Sequence, residues 1–211
     1  MNLDVYVVTN RQLAGVRPLG TIVEESLAGG ASVIQLREKD ISTRDFVELA
    51  AQLKKIVRKY NSLFIINDRI DVAQAVGADG VHLGQDDMPA VTARDILGKE
   101  AVIGVSVSTL EEAEKAVRDG ADYLGVSAIF STPTKSDAVV VGLSGLRKIA
   151  DAVQIPLAAI GGINAGNAAD IIRAGADGVA VVSEIMKADN PRLATARLLE
   201  KIKAAKLTVK K

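Results

Sequence analysis

The 211-residue sequence contains no cysteine and no tryptophan, with a single histidine, three tyrosines and three phenylalanines. Without cysteine, disulfides, thiolate metal sites and cysteine nucleophiles are excluded, and nothing points to an oxidising compartment. His82 is the only imidazole, and the sequence offers no histidine-based metal site or Ser-His-Asp arrangement around it. So few aromatic residues require an aliphatic core of Val, Ile, Leu and Ala, which suits a barrel interior. Excess charge of either sign is also missing: 26 Lys and Arg balance 26 Asp and Glu. That argues against a general nucleic-acid surface, which would show as a basic excess. No apolar run approaches membrane-spanning length. The start, Met1-Asn2-Leu3-Asp4, lacks the basic and apolar stretches of a signal peptide. Together these absences predict a soluble, cytoplasmic protein whose partners are small molecules rather than nucleic acid or membrane.

What is present is a phrase that recurs along the chain. Ala28-Gly29-Gly30-Ala31, Val76-Gly77-Ala78-Asp79-Gly80-Val81, Asp119-Gly120-Ala121-Asp122-Tyr123-Leu124 and Ala174-Gly175-Ala176-Asp177-Gly178-Val179 are versions of it. Each closes an amphipathic segment and opens a short aliphatic one, as when a left-handed glycine ends a helix just before a parallel strand. Apolar runs at 4–9, 32–37, 63–67, 79–84, 101–106, 122–127, 156–160 and 178–182 read as strands. Helical patterns separate them. The clearest is 44–59, where Phe46, Val47, Leu49, Ala50, Leu53, Ile56 and Val57 recur on one face. Ser108-Thr109-Leu110-Glu111 reads as a capping box, and Pro18, Pro89 and Pro191 stand near helix starts, where proline is tolerated. Strict alternation predicts an α/β fold, a (β/α)8 TIM barrel formed by 1–211 as one catalytic domain, with about 203–211 a lysine-rich tail. An open doubly wound sheet is the alternative.

In such a barrel the strand C-termini and the loops after them form the active face, and polar residues concentrate there. Strand two ends Gln35-Leu36-Arg37-Glu38-Lys39, and alternation puts Gln35, Arg37 and Lys39 on one side. The bland alternative pairs Arg37 with Glu38 or Asp40. Strands three and four stop at Asn67-Asp68-Arg69 and Gln85-Asp86-Asp87. Asp68 and Asp87 suit Mg²⁺, commonly held by one or two protein carboxylates plus phosphate oxygens and water; helix N-capping is the alternative role. Strand five ends at Ser106 and strand six at Ser127, before a long loop, Phe130-Ser131-Thr132-Pro133-Thr134-Lys135-Ser136-Asp137, that reads as an anion-binding flap or as a plain surface loop. Strand seven ends Ile160-Gly161-Gly162-Ile163-Asn164, and strand eight ends Val181-Val182-Ser183. A glycine turn beside a hydroxyl at a helix start suits a phosphate. His82, within strand four, reads as structural rather than as a general base.

With these segments placed, the sequence resembles the thiamine phosphate synthase family over nearly its whole length. The resemblance rests on Tyr6-Val7-Val8-Thr9, Gln-Leu-Arg-Glu-Lys at 35–39, Asn-Asp-Arg at 67–69, Gly-Gln-Asp-Asp at 84–87, Thr-Pro-Thr-Lys at 132–135 and Ile-Gly-Gly-Ile at 160–163, in order. It implies a transferase that joins hydroxymethylpyrimidine diphosphate to hydroxyethylthiazole phosphate, releasing pyrophosphate through a carbocation. It further implies diphosphate contacts at Gln35, Arg37, Lys39, Asn67 and Lys135, with Arg37, Lys39 and Lys135 catalytic, and Mg²⁺ at Asp68 and Asp87. Ser106 falls on the pyrimidine side; Thr132, Thr134, Gly162, Val182 and Ser183 fall on the thiazole phosphate. Asn10 and Ser131 depart from the family pattern, which often has Asp and Pro there. Two rivals remain: a thiazole tautomerase of the same fold, which would use a histidine near the end of strand six, and a non-catalytic phosphate-binding barrel.

Overall fold

The computed structural model describes residues 1–131 and 140–209. Its strands form where the apolar runs predict them: β1 (Val5–Val8), β2 (Val33–Leu36), β3 (Leu63–Asn67), β4 (Gly80–Leu83), β5 (Val102–Val107), β6 (Tyr123–Val126), β7 (Leu157–Ile160) and β8 (Gly178–Val181). Each pairs in parallel with the next, and β8 pairs with β1, so the sheet closes on itself as a TIM barrel and the open doubly wound alternative is excluded. Helices α1 (Arg11–Ala14) and α2 (Leu19–Ala28) follow β1, and α3 (Thr43–Val57) follows β2. In turn α4 (Ile70–Val76), α5 (Ala90–Leu97), α6 (Leu110–Arg118), α7 (Gly142–Ala152) and α8 (Ala168–Arg173) follow β3 to β7. After β8 come α9 (Ser183–Met186) and α10 (Pro191–Val209).

Local chemistry explains the helix ends. Ser42 caps α3 by accepting from the Asp45 N–H, and Phe46, Ala50, Leu53 and Val57 form its buried stripe. The capping box at α6 lies one residue later than the sequence suggests: Thr109 accepts from the Glu112 N–H, and Glu112 reaches back to the Thr109 N–H. Glu112 also accepts from the backbone and hydroxyl of Ser108, so the Ser108 hydroxyl is a donor here and the cap falls to Thr109. The lysine-rich end is helical as far as Val209; Ile202 and Ala205 are buried, and Lys206 pairs with Asp4.

The recurring phrase ties the bottom of the barrel. Asp79, Asp122 and Asp177 each stand just before an even-numbered strand. Their carboxylates accept from the backbone N–H of Phe64, Ile103 and Leu157, each at the start of the preceding odd strand. Their own N–H groups donate back to the carbonyls of the same residues. Reciprocal bonds of this kind satisfy strand ends that a parallel ladder would leave open, so the repeat is a register device remote from the active face.

Two apolar layers result. Outward side chains of the strands meet the helices in a continuous shell that includes Val7, Ile34, Ile66, Val81, Ile103, Leu124, Ala159 and Val181. Inside the barrel Leu3, Tyr6, Val8, Val33, Ile65, Tyr123, Ala158 and Ala180 form a separate, smaller cluster. Each buried aliphatic side chain contributes about 1.5–3 kcal/mol, so the outer shell carries most of the stability. The interior is thereby left able to hold polar groups near its mouth.

Candidate active site

Above the inner cluster the barrel opens into a pocket enclosing about 1040 Å³ of space, its mouth included. Its wall draws on all eight strands, and Gln35, Arg37, Asn67, Ser106, Gly162 and Ser183 face it, whereas Lys39, Asp68 and Asp87 are not among its described lining residues. Residues from the two ends of the sequence therefore share one site, as the strand-end pattern predicts.

One side is charged. Gln35 is 4% exposed and points inward from β2, and Arg37, two residues on, lines the pocket. Of the two alternative partners for Arg37, Glu38 pairs with Arg11 at 2.9 Å. Arg37 is instead fixed through its backbone, whose N–H donates to the Thr9 hydroxyl at 3.0 Å. Lys39 forms an ion pair with Asp68, a residue in the left-handed region at φ 60°. Neither Asp68 nor Asp87 caps a helix, because Arg69 and Pro89 occupy the N-cap positions of α4 and α5 without side-chain caps. Asp87 turns back to accept from the Gly84 N–H at 2.6 Å. Burial, and then the hydrogen bond and charge of Asp68, hold the Asp87 carboxyl above the usual carboxylate range. Neighbouring carboxyls beside a lysine, one of them disfavoured as an anion, are a place that a cation can stabilise. Among the described residues no group of three or more His, Cys, Asp or Glu side chains gathers. The pair therefore suits a cation completed by ligand oxygens and water rather than a protein-only cage.

The other side is backbone. Gly161 and Gly162 have φ of 111° and 65°, so a side chain there would be strained. Close approach adds a second reason: a Cβ on Gly161 would sit 2.9 Å from the Ala128 Cβ, and one on Gly162 would sit 2.8 Å from the Phe130 Cβ. The Phe130 N–H donates to the Gly161 carbonyl at 3.1 Å, which joins the loop after β6 to this turn. Val182 and Ser183 open α9 beside it, where the first N–H groups of a helix have no internal acceptor. Thr132, Thr134 and Lys135, the flap residues, lie outside the described residues.

Sequence reasoning missed the floor. His82 points inward, with Nδ1 2.9 Å from the Tyr123 hydroxyl and Nε2 2.8 Å from the Ser106 hydroxyl. Tyr123 in turn lies 2.7 Å from the Tyr6 hydroxyl, which accepts from Gln35 Nε2 at 2.6 Å. Small residues make room for these rings: a Cβ on Gly104 would lie 2.0 Å from the Tyr123 ring, and one on Gly125 would lie 2.8 Å from the His82 ring. The available signal was two tyrosines and glycines at inward strand positions in a chain otherwise poor in aromatics. His82 is thus hydrogen-bonded within the barrel interior while also lining the pocket.

Comparison with known proteins points the same way. Residues 5–185 match the family model described as thiamine monophosphate synthase. The chain is 50% identical over 204 residues to a protein of Methanobrevibacter smithii named thiamine-phosphate synthase, covering 97% of each. It is also 50% identical to one of that name from Moorella thermoacetica, over 96% of this chain and 97% of that one. Its structure is similar to thiamine phosphate pyrophosphorylase from Pyrococcus furiosus, with a TM-score of 0.90, 46% identity and 96% of each chain covered.

Proposed function

The chain belongs to the thiamine monophosphate synthase family, and from that premise we propose that it is a transferase joining hydroxymethylpyrimidine diphosphate to hydroxyethylthiazole phosphate, or to its carboxylated form. The observation that carries this reading is the convergence of Arg37 and Asn67 with Gly162 and Ser183 on one pocket. A charged wall for a diphosphate faces a backbone wall for a monophosphate. A barrel that only bound phosphate would need the second wall and not the first. The tautomerase rival would need a histidine near the end of β6, where Ser127 stands, and the sole histidine is on β4.

In the proposed reaction the bond between the pyrimidine methylene carbon and the diphosphate oxygen breaks, and both electrons leave with pyrophosphate. The thiazole nitrogen then supplies a lone pair to the carbocation, forming the new C–N bond. No proton is transferred at the reacting atoms, which agrees with a site that offers cations and a diphosphate wall rather than a nucleophile and base. Lys39, Arg37 and Lys135 meet the charge that grows on the leaving group, an effect strongest where water is excluded. Gln35 and Asn67 orient the diphosphate, and Ser106 addresses the pyrimidine. Thr132, Thr134, Gly162, Val182 and Ser183 hold the thiazole phosphate within reach of the carbon. Asp68 and Asp87, close enough for Asp68 to raise the Asp87 carboxyl, would hold Mg²⁺, which when bound neutralises charge on diphosphate oxygens.

The test is to supply both substrates with Mg²⁺ and to measure pyrophosphate and thiamine phosphate. Both should form in equal amounts. A folded protein that produced neither would overturn the reading, and binding of thiazole phosphate alone, indifferent to Mg²⁺ and diphosphate, would favour a non-catalytic barrel.

A further inference from the structure

The hydrogen bonds across the barrel floor run in sequence from Gln35 to Tyr6, Tyr123, His82 and Ser106, linking β2, β1, β6, β4 and β5. Each member has a limited supply of protons, so the direction of one bond dictates the next. The amide nitrogen of Gln35 can only donate, so the Tyr6 hydroxyl accepts there. A phenol has one proton; with that of Tyr6 directed to Tyr123, 2.7 Å away, the Tyr123 hydroxyl accepts. Tyr123, having accepted, directs its own proton to Nδ1 of His82. Burial holds both phenols well above their ordinary range, so neither supplies a phenolate that would break the count. An imidazole that accepts at Nδ1 must carry its proton at Nε2, and from there it donates to the Ser106 oxygen. The hydroxyl hydrogen of Ser106 is then left for an acceptor in the pocket that Ser106 lines.

We propose that Tyr6, Tyr123 and His82 are positioning residues whose one-way hydrogen-bond chain, set by Gln35, keeps His82 as the neutral Nε2–H tautomer and makes Ser106 a donor to a ring nitrogen of the bound pyrimidine. The identity of the heterocycle rests on the proposed function; the direction of the chain does not. Gly104 and Gly125 belong to the same device, since any side chain at either would displace the Tyr123 or His82 ring. The device gives a mid-barrel histidine a purpose other than acid–base chemistry. It reads hydrogen-bond polarity, which favours a ring acceptor over a ring N–H at the same place, because a donor facing a donor leaves both unsatisfied.

The chain has one histidine, so ¹⁵N NMR of the labelled, substrate-free protein reports His82 without ambiguity. The expected result at neutral pH is a protonated Nε2 and an unprotonated Nδ1. A proton on Nδ1, alone or together with Nε2, would mean a reversed chain or an imidazolium and would overturn the proposal. Tyr6→Phe removes the link that forces Tyr123 to donate, and the His82 signals should move to a mixture of tautomers while the protein stays folded. In turnover assays the same variant should raise KM for the pyrimidine diphosphate roughly 2–10-fold, the scale of one hydrogen bond. Its kcat should stay within about twofold, as expected for a lost uniform binding contact, and KM for the thiazole phosphate should not move. An unchanged tautomer in Tyr6→Phe, or equal changes in both KM values, would reduce the chain to a packing element. If the parent protein failed to turn over at all, the proposed reaction would fall while the NMR result still decided the direction of the chain.

Discussion

The two walls of the pocket handle negative charge by opposite means. The wall from β2 to β4 uses side chains: Arg37 and Asn67 in the pocket lining, with Lys39 paired to Asp68 outside that lining. The wall from β7 and β8 uses backbone: a Gly161-Gly162 turn at positive φ and the opening of α9 at Ser183. Under the proposed reaction the difference has a reason. A leaving diphosphate gains charge as its bond breaks, and full charges stabilise that change more than fixed dipoles do. A monophosphate that only anchors its substrate keeps its charge throughout. Backbone N–H groups suffice for it and are set by the fold itself.

The comparison breaks most sharply at the charged wall. Asp68→Ala or Lys39→Ala should lower kcat on the order of 10²–10³ at saturating substrates and Mg²⁺, by analogy with removal of an oxyanion donor. Lys135→Ala should do the same, and near-normal turnover in these variants would remove the distinction between the walls. On the backbone wall the strongest change is Gly162→Ala, which imposes a side chain at φ 65° against Phe130. Strain of about 1–3 kcal/mol predicts a KM for thiazole phosphate raised roughly tenfold or more, with KM for the diphosphate substrate little altered. Ser183→Ala removes one hydroxyl and leaves the backbone groups in place. Its KM for thiazole phosphate should rise only roughly 2–10-fold, and a larger effect than that of Gly162→Ala would show that side chains dominate this wall too.

The smallest effect concerns stability. The Asp87 carboxyl is held above its ordinary range by burial and by Asp68, so the folded chain takes up that proton more readily than the unfolded one. Stability of the metal-free chain should therefore increase as pH falls through the raised value and be lost as pH rises through it. Asp87→Asn removes that cost while keeping an acceptor for the Gly84 N–H. Thermal melts at neutral pH without divalent cation should show the variant a few degrees more stable than the parent, and Mg²⁺ with pyrophosphate should stabilise the parent more than the variant. A lower melting temperature for the metal-free variant would contradict a raised Asp87 carboxyl.

Much of the charged wall was legible because its residues cluster next to short apolar runs. Gln35, Arg37 and Lys39 alternate on a strand end, and Asp68 and Asp87 follow strands directly, so local period and position suffice. The capping box was displaced by one residue because Ser108 and Thr109 are both favoured caps; the hydroxyl that accepts from the Glu112 N–H distinguishes them. The aspartates of the recurring phrase showed as a repeat, but their bonds to Phe64, Ile103 and Leu157 depend on a neighbouring strand that no local window contains.

By itself the sequence determined the alternation of strand and helix, the strand ends, and the polar residues that stand there, because propensity and periodicity act within a few residues. The tertiary structure alone decided that β8 closes on β1, that Lys39 pairs with Asp68, and that Gln35, Tyr6, Tyr123, His82 and Ser106 form one chain. Tyr6 and Tyr123 are 117 positions apart. Whether such residues meet depends on which face of each strand turns inward and on how eight strands register around a closed barrel, and both are properties of the whole sheet.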